Sequence, residues 1–178
     1  MVIPKSKVVT TKKLIFRRFV AFCIDYVIIG AYIILLFSVS QILELDDMIS
    51  TPINGQLLGF FSLTLPVFLY FFLSENGRSK ATYGKRIMNI SICSNSEKTN
   101  PKIFQRNILK FLPWELAHTG VHWIIFYSIY ENYIPLWVWF LLITPQLIVI
   151  FYIFTIFISK GERSVYDDLS NSKVRISD

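Results

Sequence analysis

Cysteine, histidine and charge are all scarce in this sequence. Its 178 residues contain two cysteines and two histidines, and Asp, Glu, Lys and Arg together supply 17%, against roughly 25% in soluble domains. Cys23 lies in an apolar run and Cys93 in a polar segment, with no Cys-x-x-Cys and no Cys/His spacing of a zinc site, which argues against a disulfide framework or a structural zinc. No Ser/His/Asp or Cys/His order offers a nucleophile, so no enzymatic activity and no cofactor are expected. A phosphate loop is excluded as well: Gly77 stands seven positions before Gly84 rather than five, and Arg86 follows Lys85 where Ser or Thr belongs.

Apolar residues fill the space that charge leaves. The chain is 53% hydrophobic and 16% aromatic, an excess that needs lipid to cover it. Four apolar runs, residues 19–39, 57–74, 111–130 and 136–158, are each long enough to cross about 30 Å of hydrocarbon as a helix. The expected fold is an all-α membrane protein, a bundle of four transmembrane helices forming a single domain over residues 1–178. The third run is the most polar, since it carries Glu115, His118 and His122. The first exceeds the apolar length of a signal peptide and contains Asp25, so it reads as a retained anchor.

The connecting segments orient the bundle. Residues 1–18 carry Lys5, Lys7, Lys12, Lys13, Arg17 and Arg18 with no acid, whereas the first loop carries Glu44, Asp46 and Asp47 with no base. Residues 75–110 hold eight bases against Glu75 and Glu97, and the 131–135 turn holds Glu131 alone. Positive segments therefore alternate with non-basic ones, which places both termini in the cytoplasm of a multi-pass protein of the cell membrane. That pattern accounts for 14 of the 18 basic residues without any polynucleotide, so nucleic acid is not an expected partner. Membrane lipids are, with Lys12, Lys13, Lys85, Arg86, Arg106 and Lys110 at the headgroups.

Local patterns refine the picture. Ile103, Phe104, Ile108 and Leu109 against Lys102, Gln105, Arg106 and Lys110 predict a short amphipathic helix over 102–110 in the cytoplasmic interface. Pro113 then restarts the helix as the third span. Met88, Ile90 and Ile92, and later Val174 and Ile176, alternate with polar neighbours, which predicts two short cytoplasmic strands. Pro66 and Pro145 fall in mid-span, where a missing amide kinks a helix; a midplane cavity and ordinary membrane proline are both open readings.

Two constellations could carry chemistry. Asp25 lies six residues into the first run, where a carboxylate costs roughly 2.5 to 3.5 kcal/mol on insertion scales. It must meet a donor or hold a proton or cation. Arg18, seven positions earlier, shares its helical stripe but is too far for a direct pair, so Asp25 is either part of a brace between helices or an ion-handling group. Glu115, His118 and His122 share one face and could serve a metal ion or a proton path, or simply pack as polar residues. No metal site is expected; these three residues are the candidates closest to one.

Three segments, Arg18-Phe-Val-Ala21-Phe-Cys-Ile-Asp25, Ala81-Thr-Tyr-Gly84-Lys-Arg86 and Arg163-Ser-Val-Tyr-Asp167 with Ser172 and Val174 behind it, resemble in order the three blocks of the RDD family of small bacterial membrane proteins. Tyr166 stands where the family often has histidine and Ser172 where threonine is usual, and the spacing to Ser172 and Val174 favours Asp167 over Asp168 as the motif aspartate. The resemblance implies an even-spanning bundle with cytoplasmic ends and a polar cluster of Arg18, Asp25 and Asp167. Transport has been proposed for the family. Two functions are therefore expected. One is transport or exchange of monovalent cations or protons through Arg18, Asp25, Asp167, Glu115 and His122, in a homo-oligomer because four helices make a thin wall. The other is a non-enzymatic accessory or assembly subunit bound to a larger membrane-protein partner.

Overall fold

The computed structural model describes residues 6–43, 51–96, 99–131 and 133–177, with side chains from Lys13 onward. The side chain of Lys12 and the first-loop acids Glu44, Asp46 and Asp47 lie outside the described residues. Helix α1 runs Ser6–Ile42. Helix α2 (Pro52–Gly59) starts with the Thr51 hydroxyl accepting from the Asn54 amide at 3.2 Å and with Pro52 in its first turn, both favourable at a helix N-terminus. It continues through a π-helical turn, Phe60–Thr64, into α3 (Leu65–Asn76). Then follow α4 (Tyr83–Ile87), β1 (Ile90–Ser94), α5 (Ile103–Tyr130), α6 (Leu136–Ile158), α7 (Val165–Leu169) and β2 (Ser172–Ile176).

Among the described residues, three helical stretches are long and apolar enough to cross a membrane: Lys13–Ile42, Pro52–Asn76 and Leu136–Ile158. They contain the first, second and fourth expected spans. The third expected span, 111–130, lies within α5, which is long enough but does not join the other three. Glu115, His118 and His122 lower its hydropathy.

Helix α5 also corrects the expectation for residues 102–110. No separate interfacial helix precedes Pro113; one helix runs straight through it. Proline removes the amide that would bond the carbonyl four residues back, here Leu109. The hydroxyl of Tyr152 on α6 donates to that carbonyl instead, at 2.9 Å. The same repair serves the second stretch, where Pro66 removes a donor from Ser62 and the Tyr32 hydroxyl of α1 donates to the Ser62 carbonyl at 2.6 Å. Burial of residues 103–110 does not follow polarity: Phe104, Gln105 and Ile108 are exposed, while Ile103, Arg106 and Asn107 are buried.

The two expected strands pair antiparallel, Ile90 opposite Ile176 and Ile92 opposite Val174. Asn89 and Asn171, each at φ 51°, turn the chain into them through the left-handed conformation that asparagine tolerates. Ile90, Ile92 and Val174 pack with Leu14 and Ala21 of α1 and Ile103 of α5 into a small buried core. That core gathers at the end of the molecule where α1 and α5 begin, and it positions the polar groups described next.

Tyr152→Phe should lower the unfolding free energy in detergent by about 0.6 kcal/mol, the average for hydrogen bonds between membrane helices. In a Pro113→Ala background, residue 113 offers its own amide to Leu109 and the loss should disappear. An equal loss in both backgrounds would contradict the repair.

Candidate functional site

Five short segments converge where the helices meet the small sheet, and each delivers one charged side chain. Glu75, in the last turn of α3, is fully buried. A helix C-terminus disfavours an anion, and three donors offset this: Lys85 of α4 at 2.5 Å, Arg106 of α5, and the Asn107 amide at 3.0 Å. Arg106, 1% exposed, reaches onward through Nε to Asp167 Oδ1 at 2.7 Å and lies over the Tyr166 ring, 5.2 Å from its centroid. Asp167 sits in the first turn of α7, where its carboxylate accepts from the Ser164 amide at 2.9 Å as the acidic half of a capping box. It also accepts from Arg18 Nη2 at 3.0 Å and Ser172 Oγ at 3.2 Å. Arg18 completes its own set on the Gly161 carbonyl at 2.9 Å and the Tyr166 hydroxyl at 3.2 Å.

The electrostatics follow from this geometry. Burial opposes ionisation of Asp167, but Arg106 and Arg18 outweigh it and hold the carboxyl below its ordinary range. Burial likewise opposes the charge on Arg106, and Glu75 and Asp167 overcome it, so the guanidinium is raised above its ordinary value. For Lys85, burial wins over Glu75 and the ammonium is lowered. Burial pushes the Tyr166 hydroxyl up, which keeps it available as a neutral partner for Arg18.

Asp25 is 2% exposed and takes a different solution. It accepts from the Tyr70 hydroxyl at 2.7 Å, the Thr82 hydroxyl at 2.6 Å and the Gly84 amide at 2.9 Å, and the described residues place no salt bridge on it. Gly84 is required at this position: a Cβ there would lie 2.1 Å from the Ala21 carbonyl oxygen, so any side chain would force α4 away from α1. Thr82 is at once the N-cap residue of α4 and a donor to Asp25. The Thr-x-Gly-Lys segment is thus a docking turn, with Lys85 serving Glu75.

The expected site residues fall into three places. Arg18 and Asp167 are joined directly. Asp25 stands apart from that pair with its own neutral donors. Glu115 and His122 lie further along α5; Gln56 of α2 donates to Glu115 Oε1, and His122 Nε2 faces His118 Nε2 at 3.2 Å. Among the described residues no three of His, Cys, Asp and Glu converge as a metal-binding group, so Glu115, His118 and His122 do not form a ligand set.

Of the expected headgroup residues, Lys13 and Arg86 are exposed. Arg106 and Lys85 are turned inward onto Glu75, because an unpaired buried glutamate would cost more than the headgroup contacts they give up. The Lys110 ammonium lies 3.4 Å from the centroid of the Phe71 ring, a cation–π contact. Asp168 carries only an exposed pair with Arg163, which leaves Asp167 as the motif aspartate. Ser172 donates where a threonine would.

Sequence reasoning missed Glu75, Asn107, Thr82 and Tyr70 as site residues. The signal for Glu75 was an acid closing an apolar run, at the helix end where the backbone dipole opposes it. The chain matches the family model described as RDD family over residues 13–171. No curated protein and no solved structure matches it.

The depressed Asp167 carboxyl makes stability depend on pH. Its contribution is fully present above the unfolded carboxylate value of about 3.9 and is lost as pH falls through the lower folded value. Detergent unfolding followed from neutral to acid pH should show that loss. Asp167→Asn should be weaker at neutral pH and lose less on acidification, and parallel pH curves for the two proteins would refute the assignment.

Proposed function

Because the chain belongs to the RDD family, whose members are membrane proteins, we propose that it is a non-enzymatic accessory or assembly subunit of a larger membrane complex. The carrying observation is that Asp25, Glu75 and Asp167 are each saturated by donors from other segments of the same chain. Carboxylates held this way brace helices. A cation crossing through them would have to displace several donors from each carboxylate. This favours the accessory reading over transport of monovalent cations or protons around Asp25.

The spans support an external partner. In the most apolar window of each of the three stretches only 11%, 11% and 6% is buried within the chain. Their sides are therefore available to lipid or to helices of another protein. A second copy of the chain is one such partner.

Parity supports a four-span topology with both ends in the cytoplasm. Strand β1 precedes α5 and β2 follows α6, and the two strands are hydrogen-bonded, so they occupy one side of the membrane. If α6 crosses, α5 must cross too, despite its polar face. Arg18, just before the first apolar run of α1, bonds Asp167 beside β2, which supports the same side for that end of the run. The basic excess of residues 1–18 and 75–110 supports reading that side as the cytoplasm.

Purification in mild detergent should recover a stoichiometric membrane-protein partner. Proteoliposomes of the wild type and of Asp25→Asn should show the same background ion flux. Flux that depends on Asp25 would overturn the accessory reading in favour of transport. With Cys23 and Cys93 replaced by Ser, single cysteines at Glu131 and at Ser177 should react with impermeant reagents from opposite sides of the membrane. Reaction of both from one side would remove the α5 crossing.

A further inference from the structure

Two stretches of the chain repeat one plan. Helix α3 ends at Asn76 and α6 at Ile158; α4 spans Tyr83–Ile87 and α7 Val165–Leu169; β1 spans Ile90–Ser94 and β2 Ser172–Ile176. Each boundary in the second set stands 82 residues after its counterpart. Finer features keep the same offset. Thr82 and Ser164 are the N-cap residues of the two five-residue helices, and Asn89 and Asn171 both turn at φ 51°. On the helices that open the two halves, buried Asp25 matches buried Asn107. Tyr70 and Tyr152 match as well, and each donates to the opening helix of its own half, at Asp25 and at the Leu109 carbonyl.

Hydrogen bonds between the halves obey a twofold axis. Ile92 pairs with Val174, its own counterpart, while the Ile90–Ile176 and Ser94–Ser172 pairs exchange places under the offset, a reciprocity that an antiparallel ladder permits. Beyond the strands, the Asn95 amide donates to the Asn171 carbonyl at 3.1 Å and the Ser177 amide to the Asn89 carbonyl at 2.9 Å. Each bond is the image of the other. The Ile92 amide likewise donates to the Lys80 carbonyl at 2.9 Å, and the Val174 amide to the Glu162 carbonyl at 2.8 Å. Two unrelated segments that merely met in a sheet would have no reason to bring their preceding helices, caps and flanking bonds into one register.

From this register we infer that the chain consists of two equivalent units, α1 to β1 and α5 to β2, docked about an axis through the Ile92–Val174 pair, with a seam built like the interface of a dimer. Both return helices lead into the paired strands, so both units end on one side and the axis lies along the membrane normal, the arrangement of parallel repeats. The charge network bridges the seam. Arg18 of the first unit holds Asp167 of the second, and Arg106 of the second holds Glu75 of the first. Side chains differ where the units need different partners. Lys85 and Asp167 occupy equivalent positions with opposite charge, and Tyr166 stands where Gly84 lets α4 approach the Ala21 backbone. These differences hide the repeat from a reading of the sequence.

Equivalence also fixes where α5 sits. Phe104 and Ile108 take the places of Phe22 and Tyr26, and all four are exposed. Residues 103–110 therefore lie at the depth of residues 21–28, inside the first apolar run, with Phe104 and Ile108 against lipid rather than water. The repeat does not rest on the accessory reading, and it demands more of α5 than a crossing: matched depth at every offset position.

Spin labels in lipid bilayers test it. In a Cys23→Ser, Cys93→Ser background, Phe22→Cys, Tyr26→Cys, Leu69→Cys, Phe104→Cys, Ile108→Cys and Phe151→Cys are labelled one at a time with a nitroxide. Depth is read from relative accessibility to oxygen and to a water-soluble nickel chelate. Positions 22 and 104, 26 and 108, and 69 and 151 should agree within about 5 Å, one helical turn. Labels at 104 and 108 that lie more than a turn shallower than those at 22 and 26 would overturn the repeat even if α5 crosses, so its failure is distinct from failure of the four-span topology. All six side chains are exposed, so labelling leaves the packing intact, and a mismatch in any one pair is decisive.

Discussion

One buried guanidinium organises this chain. Arg106 lies between Glu75 and Asp167, and through those two carboxylates it binds the end of α3 and the start of α7 to α5. Arg18 and Lys85 extend the same network to α1 and α4. Removing ions from water costs several kcal/mol each, so none of these groups can lose its partner without a large penalty. Lipid tails are as apolar as leucine, and membrane helices therefore gain little hydrophobic drive toward one another. Polar ends of this kind can specify an arrangement that the apolar spans leave undetermined.

Asp25 applies a second constraint by different means. It is held by two hydroxyls and an amide, and its grip depends on the absence of a side chain at Gly84, where α4 touches the Ala21 backbone. The Thr82, Gly84 and Lys85 segment has the look of an anion loop in one dimension. In three dimensions each residue has a protein partner: Thr82 and Gly84 donate to Asp25, and Lys85 donates to Glu75. The family motif is in this chain a device for docking the α4 turn on the first helix.

A third constraint comes from proline. Pro66 and Pro113 each leave a carbonyl without its helical donor, and a tyrosine from a neighbouring helix supplies one in both cases. These bonds let α5 run unbroken from the charge network to the Glu115, His118 and His122 stripe. A single helix therefore carries Arg106 and Asn107 of the charge network as well as the stripe, which explains why its hydropathy falls short of the other spans.

Much of the architecture was legible in order along the chain. Long apolar runs, the alternation at Ile90, Ile92, Val174 and Ile176, and the need of Asp25 for a donor all follow from properties of neighbouring residues. The family blocks likewise pointed to Arg18 and Asp167. Residues 102–110 misled because their amphipathic pattern does not say which positions turn to protein, and in the fold Arg106 and Asn107 are buried beside Ile103 while Lys102, Phe104, Gln105 and Ile108 are exposed. Glu75 looked like one more loop acid for the same reason.

Hydropathy and charge placement are local sums, so the sequence alone determined that this is a mostly helical membrane protein with basic connecting segments and two short strands. Pairing is not a local property. Arg18 meets Asp167 across 149 residues, Arg106 meets it across 61, and Asp25 finds Gly84 across 59. Only the tertiary structure could decide those partners, because a buried charge is matched by whichever donor the docking of distant segments brings within about 3 Å.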